Sequence, residues 1–312
     1  MDKKEENKKQ NHDEKKKEQE KVKEQLIEKE EDLGEFQIVP KRKKKYAKKI
    51  ILTAIVAVLL ITISIVTYNA ATVNIEYKKN EKNIDIPIFV YHDIVKKESE
   101  VKHDYMQTTI KTFEEQVNGL LKLGYHIISF DDLAAYQKGE KALTKRTCLI
   151  TFDDGCLGVY ENAYPIIKKY NIPVTAFIID SNVGTSGAFS WEQAKEMEES
   201  GLVKIASHGK RHIEYNKEDK KTIKHETNEA YKHIDEKLGK RKQRIFCYPY
   251  GLYNEENIDA LKEEGYIQLL TDNKVNNSKN LNLNKLHRCY PLSDPVWKMM
   301  MKIMYRSMRY GG

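Results

Sequence analysis

Cysteine is scarce in this 312-residue chain: Cys148, Cys156, Cys247 and Cys289 are the four present, and no two stand in a Cys-x-x-Cys pair. A structural zinc site built on such pairs is therefore not expected. Cys148 and Cys156 lie at opposite ends of a strand and its turn, and about five extended residues span roughly 17 Å, too far for an S–S bond. Apolar residues are scarce at the start. Residues 1 to about 38 are dense in Lys, Glu and Gln, with almost nothing apolar before Leu26. Such a segment cannot bury enough surface to offset chain entropy, so it is expected to be disordered or loosely helical. The mixed-sign run Glu14 to Glu31 has the pairs for a solvated helix but lacks the sustained apolar seam of a coiled coil.

Charge is the next thing to disappear. Ile50 to Tyr68 contains no charged residue, and about 19 apolar residues suffice to span a bilayer. Directly before it stand Lys41-Arg42-Lys43-Lys44-Lys45, Lys48 and Lys49. A polybasic run abutting an apolar span is the pattern of the positive-inside rule, which places the N-terminus in the cytoplasm and argues against a nucleic-acid role. Ala70-Ala71 offers small residues to a signal peptidase, but the apolar run is longer than a signal peptide's and the preceding arm far too long. A retained signal anchor is expected. The chain then divides into a charged cytoplasmic arm (1–49, partner unknown), a transmembrane helix (50–68), a polar stalk (69–83) and an extracellular domain (84–312). The formal charge of +7 and pI near 8.9 thus average over unlike parts.

From Ile84 onward short apolar runs alternate with amphipathic ones. Strands are expected over Ile86 to Tyr91, Tyr125 to Ser129, Cys148 to Phe152, Val174 to Ile179, Leu202 to Ala206, Arg244 to Tyr248, Tyr266 to Leu270 and Leu286 to Tyr290. Helices are expected over Thr112 to Leu123, Tyr160 to Tyr170, from Trp191 behind the N-cap Ser190, over Glu218 to Leu238 and Glu255 to Glu264, and from about Asp294. On them His225 and His233 read as exposed polar residues, and the methionines after Asp294 as core filler. The alternation implies parallel strands and an α/β fold.

Two strand ends carry chemistry. The run Cys148 to Phe152 delivers Asp153 and Asp154 into a turn at Gly155. Adjacent carboxylates repel unless a metal or proton holds them, although an Asp-Asp-Gly turn is the ordinary explanation of the tripeptide alone. The run Leu202 to Ala206 ends in Ser207-His208-Gly209-Lys210-Arg211-His212, and a helical turn would put both imidazoles on one face. One carboxylate and two imidazoles with open positions suit zinc or a similar divalent ion, and parallel α/β folds gather their chemistry at strand carboxyl ends.

Thr151-Phe152-Asp153-Asp154-Gly155, the Ser-His-x-x-x-His segment and Tyr248-Pro249-Tyr250-Gly251 resemble three successive motifs of the polysaccharide deacetylase family (NodB homology domain, carbohydrate esterase family four). Trp191-Glu192-Gln193 and Glu199-Ser200-Gly201-Leu202-Val203 add to the likeness, which covers about residues 84 to 307, with the motif-bearing core from about 145. The resemblance implies a distorted (β/α) barrel and hydrolysis of a linear amide: removal of N-acetyl groups from an N-acetylglucosamine-containing exopolysaccharide or peptidoglycan. It implies that Asp154, His208 and His212 bind one divalent ion, zinc or alternatively cobalt, nickel or iron. Asp153 would be the base, and the Tyr250 N–H an oxyanion donor.

Two departures stand out. By this resemblance Cys247 occupies the place of the third motif's usual Arg, and that Arg's task of orienting the base would fall to Arg288, at the end of the Leu286-His287 strand. No C-terminal strand ends in His-Asp, but Phe89-Val90-Tyr91-His92-Asp93 does so at the front. A permuted motif order, as in membrane-anchored exopolysaccharide deacetylases, would make His92 the general acid, with His287 as the alternative. An O-acetyl esterase, a catalytically silent wall-binding protein on the same scaffold and a non-haem iron oxygenase are the rival readings.

Overall fold

A computed structural model describes residues 41–310, so most of the charged arm lies outside the described residues. The chain separates into two compact units, divided between Thr67 and Tyr68. The first contains most of helix α1 (Lys41–Thr72), which continues from the basic cluster through the apolar run without interruption. Its stretch Tyr46–Tyr68 is long and apolar enough to cross a membrane. The Thr53 and Thr62 hydroxyls donate to the carbonyls of Lys49 and Val58 at 2.9 and 2.7 Å, so these polar groups are satisfied inside the helix.

The second unit is an α/β half-barrel of parallel strands. In chain order its elements are β1 (Ile88–Tyr91), α2 (Ile110–Lys122), β2 (His126–Ile127), α3 (Phe130–Lys138), β3 (Thr147–Phe152), α4 (Tyr164–Tyr170), β4 (Val174–Ile178), α5 (Trp191–Glu199), β5 (Val203–Ser207), α6 (Lys220–Leu238), β6 (Ile245–Cys247), α7 (Glu255–Glu263), β7 (Ile267–Leu269) and α8 (Val296–Tyr310). The sheet runs β7-β6-β5-β4-β3-β1, with β2 also paired to β3. All of these pairs are parallel. Expected boundaries hold within a few residues. Ser190 caps α5 as its position predicts, accepting from the Gln193 N–H.

The segment expected as a last strand, Leu286 to Tyr290, does not form a ladder. It makes single bridges, Leu286 to Leu269 and Cys289 to Phe89, so the two edges of the sheet are linked through one short segment. The stretch expected as a stalk carries a strand: Glu76–Tyr77 pairs antiparallel with Leu143–Thr144.

Strand residues alternate between two apolar clusters because successive side chains point to opposite faces. Leu149, Phe177, Ala206, Cys247, Leu269 and Leu286 belong to the interior cluster. Cys148, Ile150, Ile178, Ile205 and Phe246 pack with the surrounding helices. Strands buried on both faces read as continuous apolar runs, and all six residues of β3 are buried. All four cysteines are free thiols.

Candidate active site

The alternation that builds the core also fixes the site. Leu149 faces inward, so Thr151 and Asp153 do as well. Likewise Ile88 brings in His92, Ala206 brings in His208, and Leu286 brings in Arg288. All of these except Arg288, which the bridged segment supplies, lie at or near the carboxyl ends of parallel strands. Asp154 departs from the pattern because its backbone turns left-handed, with φ 68°, and Gly155 follows at φ 70°. Asp tolerates that region better than most side chains do. The two neighbouring carboxylates therefore diverge, each into a different environment.

Asp153 meets Arg288. Both are buried, and the guanidinium donates to Asp153 Oδ1 and Oδ2 at 2.7 Å each. Arg288 also donates to the hydroxyls of Thr151 (3.1 Å) and Thr271 (2.7 Å) and to the Leu270 carbonyl (3.3 Å). A buried guanidinium is tolerable only when its donors are satisfied. Burial alone would raise the Asp153 pKa, but the Arg288 charge and hydrogen bonds hold it well below the ordinary carboxylate range. The Cys247 thiol stands 3.7 Å from Asp153 Oδ2, its pKa pushed far up by burial.

Asp154 meets the histidines. Its Oδ1 lies 3.5 Å from His208 Nε2 and 3.6 Å from His212 Nε2. Burial raises the Asp154 pKa to about 6, and burial lowers His208 to about 3 and His212 in the same direction. The His208 Nδ1 lies 2.8 Å from the Cys247 carbonyl, which assigns the proton to Nδ1 and leaves the Nε2 lone pair facing Asp154. Among the described residues Asp154 Oδ1 is buried with no hydrogen-bond partner. An orphaned carboxylate oxygen converging with two imidazole nitrogens is a set that fits a divalent cation. Asp153, His208 and Cys247 also converge within ligand distance, but Arg288 already occupies that side, contacting both Asp153 and the Cys247 sulfur. A second cation there would be repelled.

After β5 ends at Ser207, the His208 to His212 segment is an irregular loop rather than a helical turn. It is pinned by a residue that motif reading missed. Glu226 on α6, 2% exposed, accepts from the Arg211 backbone N–H at 3.0 Å and from its guanidinium at 2.9 and 2.6 Å. Gly209, at φ 93°, sits where a Cβ would lie 2.4 Å from the Tyr215 hydroxyl. His233, expected to be merely exposed, is half-buried and bonds Asp180 through Nδ1 at 2.7 Å. His225 is exposed.

His92 is buried, its Nδ1 has no hydrogen-bond partner among the described residues, and its ring stacks on Tyr290 at 6.1 Å and 9°. Its charge, when present, acts on both Asp153 and Asp154, so the front strand joins the same site. His287 is the outward neighbour of Arg288, and its Nδ1 is engaged by Asp272 at 2.8 Å. Tyr250, 61% exposed, has φ 58° in the turn after β6, and its ring lies 4.3 Å from that of His212. Tyr290 was not singled out by any motif. Burial, followed by the charge on Asp153, raises its hydroxyl pKa to about 12.

Comparison with known proteins bears on this arrangement. Residues 140–269 match the family model for polysaccharide deacetylase. YxkH of Bacillus subtilis, whose name places it among the polysaccharide deacetylases, is 31% identical over 210 residues, covering 67% of this chain and 72% of its own length. The chain belongs to the polysaccharide deacetylase family. It shares that family with poly-β-1,6-N-acetyl-D-glucosamine N-deacetylases of Staphylococcus aureus, 32% identical over 166 residues, 49% of this chain and 57% of theirs. This polysaccharide deacetylase thus spans little more than half the length of those relatives. The Streptococcus pyogenes deacetylase PplD, solved with acetate, superposes with TM-score 0.64 at 22% identity over 72% of this chain and 99% of its own. IcaB of Ammonifex degensii gives 0.61 at 23%, over 70% and 95%. Both likenesses establish the polysaccharide deacetylase fold.

Proposed function

We propose that this protein removes acetyl groups from the N-acetylglucosamine residues of an extracellular polysaccharide in a reaction that depends on one divalent metal ion. The observation that carries the reading is the divergence of the two carboxylates. Asp153 is held ionised by Arg288, while Asp154 turns to His208 and His212 with an oxygen left unpartnered. Amide hydrolysis needs an attacking water deprotonated, an oxyanion stabilised and a departing nitrogen protonated.

Asp154, His208 and His212 would hold the ion, with zinc the first candidate. A divalent ion bound there would supply Lewis acidity toward a water and the acetyl carbonyl. Asp153 takes the proton of the attacking water. Its depressed pKa makes it a weak base that stays ionised. The water oxygen bonds to the acetyl carbon, the C–N bond breaks, and His92, oriented by Tyr290, supplies the proton to the leaving nitrogen. The backbone N–H of Tyr250 would steady the oxyanion. Products are acetate and the free amine of the sugar.

The staphylococcal relatives, named for poly-β-1,6-N-acetyl-D-glucosamine, support a β-linked N-acetylglucosamine polymer as substrate. The apolar stretch Tyr46–Tyr68 behind a basic cluster supports a membrane anchor with the N-terminus in the cytoplasm and the catalytic unit outside. The test is to incubate the full chain in detergent with N-acetylglucosamine oligomers, peptidoglycan and acetylated xylan while measuring released acetate. Release from the amino-sugar polymers and its loss on chelation are expected. Release from xylan alone would make the protein an O-acetyl esterase.

A further inference from the structure

Helix α8 was expected to fill the core with its methionines, and only part of it does. Met299 and Ile303 are buried against the domain. The first turn rests on α2 so closely that a Cβ on Gly119 would lie 2.4 Å from Val296 Cγ2. The opposite side is uncovered by any described residue. Trp297, Met301, Met304, Tyr305 and Met308 are all more than half exposed, from 55% at Tyr305 to 73% at Met308. At about 100° per residue, spacings of 4, 7, 8 and 11 put these five within an arc of roughly 100°. Single exposed apolar residues need no explanation, but a contiguous stripe of five on one rigid helix does.

The charges of α8 point to an occupant. Lys298, Lys302, Arg306 and Arg309 are its charged residues, and it contains no Asp or Glu. On the same wheel the four cations fall together along one edge of the apolar stripe, within roughly 80°. Asp294, just before the helix, pairs with Lys298 at 2.7 Å and with Lys302, which offsets one charge and leaves the rim cationic. We propose that α8 is an in-plane membrane-binding helix whose partner is an anionic lipid surface. Trp, Tyr and Met enter the boundary between headgroups and acyl chains while Lys and Arg reach the phosphates. Two copies of the face packed antiparallel about a two-fold would bring their like-charged rims to the same edge, which disfavours that dimer as the occupant. Three residues, Val73 to Ile75, separate α1 from the strand Glu76–Tyr77 that is paired into the domain. A chain inserted through α1 therefore keeps the domain that carries α8 on a short leash to the bilayer, so that the weak affinity of one helix suffices. This goes beyond the deacetylase reading and draws only on its membrane anchor.

The test uses the full chain carrying Trp191→Phe, which leaves Trp297 as its single tryptophan. It is reconstituted in vesicles of acyl-brominated phosphatidylcholine with or without brominated phosphatidylglycerol. Flotation reports insertion of the anchor separately. With phosphatidylglycerol, Trp297 emission should fall roughly twofold or more, against little change in phosphatidylcholine alone. Met301→Gln, Met304→Gln and Met308→Gln together should abolish the quenching while leaving acetate release from a soluble oligomer unchanged. Floated protein whose Trp297 is unquenched, or equally quenched in both lipids, overturns the proposal without touching the anchor. Unquenched, blue-shifted emission that varies with the protein-to-lipid ratio would assign the face to a second copy. Protein that does not float would remove the anchor and the proposal together.

Discussion

Arg288 grips both oxygens of Asp153 at 2.7 Å across 135 positions of sequence, from the short segment that links the sheet's two edges. The folded-state pKa of Asp153 is depressed by this partner, so its contribution to stability is fully present above its unfolded value of about 3.9 and is lost as pH falls through the folded value. In Arg288→Met that carboxylate is buried without a counter-charge. We expect its pKa to rise, the acid limb of the acetate-release profile to move up by at least about one pH unit, and about 3–5 kcal/mol of stability to be lost at neutral pH. Arg288→Lys keeps the charge but not the fork, and should fall between. An acid limb that stays in place in both variants would detach Arg288 from the base.

Metal content distinguishes the two convergent ligand sets. Ala at Asp154, His208 or His212 should lower bound metal and acetate release together. Asp153→Asn should keep the metal and lose most activity. Cys247→Ala is the decisive control, measured by metal analysis of the purified chain: retained metal supports the Asp154 set, and loss of metal would shift the site to Asp153, His208 and Cys247.

His92 and His287 can be separated by leaving group. His92→Ala should keep fold and metal yet lose about 10²- to 10⁴-fold in amide hydrolysis, and much less on an activated aryl acetate whose leaving group needs no proton. His287→Ala should change neither rate greatly, since its ring is committed to Asp272. Equal losses on both substrates for His92→Ala would point to binding or folding instead.

Gly209→Ala tests the loop that aims the histidines. Its positive φ and the approach of the Tyr215 hydroxyl predict a loss of about 1–3 kcal/mol in denaturant unfolding, together with weaker metal binding. Unchanged metal affinity would show that the loop re-seats without displacing His208 and His212.

Topology is open to protease. Added to intact protoplasts, it should digest the unit after Thr72 and spare the N-terminal arm. The reverse pattern would sink the anchor and the extracellular substrate with it.

What the sequence by itself determined was local: apolar runs of strand length, helix caps such as Ser190, a charge-free span behind a basic cluster, and acid or imidazole at strand ends. These follow from periodicity and from nearest neighbours in the chain. The alternation of side chains along a strand even decides that Asp153, His208 and Arg288 share one interior, once the strands are known to be parallel. Only the tertiary structure decided which of two adjacent carboxylates meets the guanidinium and which meets the imidazoles, because that rests on a left-handed turn at Asp154 and on a partner 135 positions away. It alone revealed Glu226 behind the histidine loop, Tyr290 on His92 and Asp180 on His233. The face of α8 left uncovered belongs with these, since methionine at helical spacing is the same pattern whether it meets a core or water. Contacts made across the sheet depend on how elements pack, and packing leaves no periodic trace in the residues it joins.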